Sequence, residues 1–359
     1  MNQNATNNRI PSLDGLRAIS ILMVVFGHAF HIGNLNIANL GVRIFFVISA
    51  YLIVGILLRD VDKGQFSIKT FYFKRFSRTF PAFYFYLLIV YVVLQFLDLF
   101  EWEQFWRAPV YLENYHPRSL WNDKQWFVGH TWSLAVEEQF YVLIALLFLF
   151  LNKKILSKRH LILVFISIVL LVPLIRVSYL YFTFIPDILA GSIHRSFETV
   201  ADSLAIGGIM AIFPSQKIKA SKYFLYFKNK IAGLILIILL CQLMNSSFVV
   251  SLLGLKIRYL YNLIGLTVIN SCIGLILLLS IHFPSDSFFT RFLNCRFMVV
   301  IGLWSYSIYL WQQIWLYSWD FPLIFKFIGI LICSVISYYC IETKFLAWRD
   351  TFLKRNENI

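Results

Sequence analysis

Apolar residues run along this chain in ten stretches close to membrane-spanning length, parted by shorter polar intervals. They cover residues 16–33, 41–58, 80–97, 131–151, 161–177, 199–213, 231–250, 259–281, 297–318 and 322–341. An α-helix rises about 1.5 Å per residue, so some 20 residues cross a hydrocarbon core roughly 30 Å thick. The pattern predicts an all-α, polytopic membrane bundle of about ten helices, organised as one membrane domain over residues 1–359 with no appended soluble domain. The weakest stretch is ADSLAIGGIMAIF, which is short and Gly-rich.

Composition strengthens this picture. Hydrophobic residues make up 59% and charged residues 14%, whereas a soluble domain carries about 25% charge. The basic residues are unevenly placed. One set of flanks holds Arg59, Lys63, Lys74, Lys153, Lys154, Lys158, Arg296 and Lys354 among others, and the opposite set only Arg107, Arg118, Lys124, Arg195, Lys256 and Arg258. This bias predicts both termini on the cytoplasmic side of a cell membrane, and it accounts for the net charge of +14 without a nucleic-acid partner. The first apolar stretch lacks a small-residue cleavage site, so it reads as a retained span. The five cysteines form no CxxC pair and predict neither a disulfide framework nor a metal site.

Against this apolar background a few ionisable groups stand out, because charge at membrane depth is costly and usually functional. Arg17 and His28 lie eleven residues apart in LRAISILMVVFGHAF, close to one helical face and roughly 16 Å apart along the axis. Asp14 and Arg17 also suit a helix start with a snorkelling cation, a reading that leaves His28 unexplained. FKRFSR sets Arg75 and Arg78 three apart, either as a fork for phosphate oxygens or as an ordinary basic flank. HTWSLAVEEQFY carries Glu137 and Glu138 inside a span, with Tyr141 one turn beyond Glu137. Asp202, preceded by Arg195 and Glu198, is either a site residue or half of a surface ion pair. Helical rise brings His28, Glu137 and Ser49 to roughly 8, 9 and 12 Å below one membrane face. The interval 98–130, rich in aromatics including Trp102, Trp106, Trp121 and Trp126 and carrying Glu101, Glu113 and Asp123, suits an interfacial belt or a platform for sugar rings.

In chain order, SLDGLRAISILMVVFGHAF, GVRIFFVISAYLI, FYFKRFSR, HTWSLAVEEQFY, ADSLAIGG, GLWSYSIYLWQQ and IETKFL resemble the membrane acyltransferase family 3, from Leu13 to about Leu346. The resemblance implies a bacterial enzyme that moves an acyl group, commonly acetyl, from cytoplasmic acyl-CoA to a hydroxyl of a cell-surface or lipid-linked saccharide. It implies no permanently bound cofactor. Carried over by residue, Arg17, Arg75 and Arg78 take the donor; His28 and Glu137 are catalytic; Ser49, Trp132, Tyr141 and Asp202 line the pocket. The chain departs from the family pattern at Arg43, Ala50, Gln312 and Lys344.

The chemistry of these groups agrees with that implication. Arginines grip phosphates with bidentate, charge-assisted bonds. His28 is expected to act as general base, the alternative being a transient acyl carrier, with Glu137 orienting the imidazole. Paired His and Glu in a membrane also build proton relays, so a proton-coupled transporter or flippase is the rival reading.

Overall fold

The computed structural model describes residues 10–30, 35–117, 126–181, 193–213, 219, 221–227, 230–282, 288–318 and 321–357. Arg118, Trp121, Asp123 and Lys124 of the aromatic interval lie outside the described residues. Every regular element among the described residues is helical. Seven helical segments are long and apolar enough to cross a membrane: Pro11–Phe30, Ile37–Asp62, Ile68–Phe96, Gly129–Asn152, Lys158–Tyr181, Leu255–His282 and Leu323–Arg355. Two bent pairs raise the number to nine, Ile231–Leu243 with Ser247–Leu253 at 66° and Phe288–Asn294 with Arg296–Tyr317 at 55°.

The expected stretch at 199–213 is a helix too, Phe197–Ile212, but its 16 residues rise only about 24 Å. Every residue from Thr199 to Gly208 is buried, so it is an inner helix enclosed by others. The stretch at 231–250 bends because Ser246 accepts a hydrogen bond from the Val249 amide at 3.2 Å and starts a new helix there.

The chain divides into two compact units. Unit 1 comprises Met1–Ile56, Lys158–Thr183 and Glu198–Ser305, and unit 2 comprises Leu57–Ser157, Phe184–Phe197 and Tyr306–Ile359.

In unit 1, α1 (Pro11–Phe30) packs through small residues. A Cβ on Gly15 would strike the Leu293 carbonyl, and one on Gly302 would strike the Asp14 carbonyl, so backbone meets backbone on two sides of the first turn. The Ser20 hydroxyl donates to the Gly41 carbonyl at 2.5 Å and ties α1 to α2 (Ile37–Asp62). Along α2, Arg43, Val47, Ala50 and Val54 are all 1% exposed or less and form its inner face. On α3 (Lys158–Tyr181 in unit 1), Leu163, Ile166, Leu170 and Leu174 recur at helical spacing and are exposed, as a lipid-facing stripe requires. Arg176 of that helix points the other way and is wholly buried.

In unit 2, the helix α4 (Ile68–Phe96) opens on Ser67, whose hydroxyl accepts from the Thr70 amide at 3.3 Å. It runs through Pro81 without ending; Ser77 and Thr79 hydroxyls donate to carbonyls one turn back, at 2.6 and 3.2 Å. Phe73 packs on Trp348 and Phe352 of the C-terminal helix Thr343–Glu357, with ring centroids 5.6 and 5.0 Å away. The helix α5 (Trp132–Asn152) follows a 3-10 turn at Gly129–Thr131 and presents Glu137, Glu138 and Tyr141 from its second and third turns.

Candidate active site

Unit 2 gathers three of the sequence-predicted residues. Arg75 reaches from α4 to α5, where its Nη2 donates to Glu137 Oε2 at 3.1 Å and its Nε donates to Glu138 Oε1 at 3.3 Å. The guanidinium carbon lies 4.0 Å from the centroid of the Tyr141 ring. The Tyr141 hydroxyl, back along its own helix, donates to the same Glu137 Oε2 at 3.1 Å. The one-turn spacing of Glu137 and Tyr141 makes this possible, and the fork of Arg75 spans two adjacent carboxylates that a Lys would serve one at a time. Two carboxyl groups meet one guanidinium. Its side chains are only 12–14% exposed.

Around this network stands a layer of tyrosines that sequence reasoning did not single out. The Tyr306 hydroxyl donates to the Thr79 carbonyl at 2.9 Å. The Tyr309 hydroxyl donates to the His130 carbonyl at 2.5 Å and accepts from Ser133 at 2.6 Å, fixing the turn just before Trp132. Trp132 itself is 7% exposed. Ser307 bonds to Glu342, whose charge also feels Arg78. Tyrosine hydroxyls at SYSIY were readable only as part of an apolar span, since their partners are carbonyls far away in sequence.

The aromatic interval folds inward near its end. Glu113 is buried and accepts from Trp126 Nε1 at 2.8 Å, and its Oε1 lies 3.1 Å from His116 Nδ1. Burial pushes the Glu113 carboxyl above its ordinary value, against the pull of His116, Trp126 and Arg195. Burial likewise pushes Arg195 down to about 10, with Glu113 opposing it, so Arg195 stays protonated at neutral pH. Trp126 is therefore a buried packing residue; Trp102, 63% exposed, suits an interface.

Arg78 and Trp132 also belong to unit 2, and unit 1 holds the remaining predicted residues. Arg17 pairs with Asp14 at 3.5 Å, one turn apart on α1, as the helix-start reading expects. His28 stands in the last turn of the same helix, and Ser49 is half-buried on α2. Asp202 does not form a surface pair with Arg195 or Glu198. It is 0% exposed and bonds Arg176 Nη2 and the Thr267 hydroxyl, both at 2.8 Å, with Arg43 Nη1 at 3.8 Å. Glu198 accepts instead from the Tyr179 hydroxyl at 2.5 Å. Arg176 was missed in the sequence, where it reads as one charge near the end of a span. Among the described residues no group of three or more His, Cys, Asp and Glu side chains is placed to hold a metal.

Comparison with known proteins gives these clusters a context. Residues 10–342 match the family described as an acyltransferase domain. The chain is 29% identical over 338 residues to the peptidoglycan O-acetyltransferase OatA of Listeria monocytogenes, covering 84% of this chain and 49% of that protein. It is 30% identical over 363 residues to the O-acetyltransferase OatA of Staphylococcus aureus, covering 93% of this chain and 57% of that one. The chain thus spans about half the length of the curated relatives it matches. No solved structure matches it. With the match running through α1, α2, α4, α5 and on to Glu342, the chain is an integral membrane protein of the acyltransferase 3 family.

Proposed function

We propose that this protein is a membrane O-acetyltransferase that moves an acetyl group from cytoplasmic acetyl-CoA to a hydroxyl of a cell-wall or lipid-linked saccharide. The observation that carries the proposal is the Arg75, Glu137, Glu138 and Tyr141 network inside a span, in a chain whose relatives are named O-acetyltransferases. A proton-coupled flippase would use similar groups, but family membership favours acyl transfer over transport.

In the proposed reaction His28 removes the proton of the acceptor hydroxyl while its oxygen attacks the thioester carbonyl. The carbon–sulfur bond breaks, and the proton passes to the departing thiolate. Glu137, fixed by Arg75 and Tyr141, is the second catalytic group of the proposal, a carboxylate held within unit 2. The donor-binding role goes to Arg75 and Arg78 in unit 2 and to Arg17 in unit 1. Trp132 and Tyr141 are the pocket residues of unit 2 and Ser49 that of unit 1, whereas the wholly enclosed Asp202 supports the helices of unit 1 without touching substrate.

The test is acetyl transfer from labelled acetyl-CoA by the full chain in proteoliposomes, together with mass spectrometry of glycans from deletion and complemented strains. His28→Ala and Glu137→Gln are expected to insert normally and to lose the ester mass. Wild-type product from either variant overturns the assignment of that residue, and unchanged glycans on deletion overturn the acceptor class.

A further inference from the structure

Among the described residues, unit 1 buries two guanidiniums beside one carboxylate. Arg43 is 1% exposed and Arg176 and Asp202 are 0% exposed. Among the described residues Asp202 is the one acid that pairs with either guanidinium. Among the described residues the group therefore sets two guanidiniums against one carboxylate. Sealing charge away from water costs several kcal/mol after relaxation.

The hydrogen bonds show the same shortfall. Asp202 Oδ2 already accepts from Arg176 and Thr267, and Oδ1 from the Ser203 amide at 3.1 Å. Asn39 Oδ1 is taken by Arg43 Nε at 3.0 Å, and Gln242 Oε1 by the Tyr261 hydroxyl at 3.1 Å. Among the described residues Arg43 Nη1 and Nη2 and Arg176 Nε and Nη1 find no hydrogen-bond acceptor. Asn270, three residues beyond Thr267 on the same helix and 0% exposed, has neither of its polar atoms matched among the described residues. Donors outnumber acceptors, and they sit on cations. Water would meet the hydrogen bonds and leave the charge; an anion meets both.

We propose that a small monovalent anion of the chloride class is held beside Asp202 by the unmatched nitrogens of Arg43 and Arg176. The enclosure sets the size, because side chains exposed by 1% or less leave no route for a sugar or a nucleotide. Its role is to hold together helices from three separate stretches of unit 1, which carry Arg43, Arg176, Asp202 and Thr267. This site is independent of the acyl-transfer reading.

The test uses the full chain in detergent, dialysed exhaustively into gluconate and then titrated with chloride or bromide at constant ionic strength. The thermal unfolding midpoint of the wild type is expected to rise with halide, and by a constant step per tenfold increase once the site saturates. Dialysis with radiolabelled chloride should give about one bound ion per chain. Arg43→Gln removes the excess charge, so it should lose the halide dependence and in gluconate should be no less stable than the wild type. Arg43→Lys keeps the charge and should keep the dependence at weaker affinity. A wild-type midpoint equal in gluconate and chloride with no ion retained, or a halide dependence undiminished in Arg43→Gln, overturns the proposal. If Arg43→Gln fails to fold, bromide located by anomalous scattering or absent from the wild-type protein decides the matter.

Discussion

Replacing Arg75 with Met asks how much of the unit 2 network depends on one side chain. The guanidinium is 12% exposed and touches Glu137 at 3.1 Å, Glu138 at 3.3 Å and the Tyr141 face at 4.0 Å. Without it, two adjacent carboxylates face each other with no cation between them. Removing one partner of a buried ion pair costs about 3–5 kcal/mol, and the lost cation–π contact adds about 0.5–2 kcal/mol. Because the carboxylates keep 12–14% exposure, water relieves part of this load. The lower end, about 3 kcal/mol, is the expected loss. Adding Glu138→Gln to Arg75→Met leaves the cluster one carboxylate and should recover a measurable share of it. Arg75→Lys keeps the charge but gives up the fork and the stacking, and should lose about 1.5–3 kcal/mol, the worth of one charged hydrogen bond. The assay is heating in detergent followed by size-exclusion chromatography on the four proteins of the double-mutant cycle, with acetyl transfer measured on each. An Arg75→Met variant within about 0.5 kcal/mol of wild type, the range of an ordinary surface change, refutes the reasoning. So does a cycle with no coupling between Arg75 and Glu138.

Two further outcomes test the frame of the molecule. Gly207→Ala would drive a Cβ against the Val47 carbonyl and within 3.0 Å of the Ala50 Cβ, and should destabilise unit 1 by about 1–3 kcal/mol; a thermal midpoint equal to wild type would show that the helices part at no cost. Glu113 is held above its ordinary 4.5 by burial, so its folded form prefers the proton. The stability it contributes is complete below that ordinary value and is lost as pH rises through the raised one. Glu113→Gln keeps the neutral shape and should flatten this part of the stability–pH profile, and parallel profiles for variant and wild type would overturn the assignment.

Much of the architecture was legible because a membrane allows so few solutions. Apolar runs of sufficient length have to be helices there, and the runs at 41–58, 80–97, 131–151 and 161–177 fall on single helices. The bends were harder to read. Ser246 looks like one hydroxyl in an apolar stretch until its cap is seen, and Phe197–Ile212 is long enough in sequence terms only when its flanking residues are counted. At the candidate site, Glu137 and Tyr141 were legible from their one-turn spacing and Arg75 from its arginine pair. That Arg75 binds the two carboxylates was not legible, because the contact spans some sixty residues of chain. Arg43 was noted in the sequence only as a departure from the family pattern, and Arg176 was missed. Their common partner Asp202 was read as a pocket residue or half of a surface pair with its neighbours in sequence, because the two arginines lie far from it along the chain.

The two buried clusters differ in a way that separates chemistry from support. The unit 2 cluster has carboxylate in excess and keeps some exposure, so it can meet a substrate and stabilise positive charge that appears only in the transition state. The unit 1 cluster has guanidinium in excess and is sealed, so nothing that reacts can reach it. Removing a carboxylate from each should therefore fail differently. Glu137→Gln relieves repulsion between neighbouring acids and keeps a hydrogen-bonding side chain, so the protein should remain folded while transfer falls steeply. Asp202→Asn takes from two buried guanidiniums the one counter-charge found among the described residues, at a cost of about 3–5 kcal/mol, so the folded yield should collapse before any catalytic constant changes. A well-folded, slow Asp202→Asn enzyme beside an unstable Glu137→Gln would reverse the assignment of these two carboxylates and give Asp202 the catalytic part.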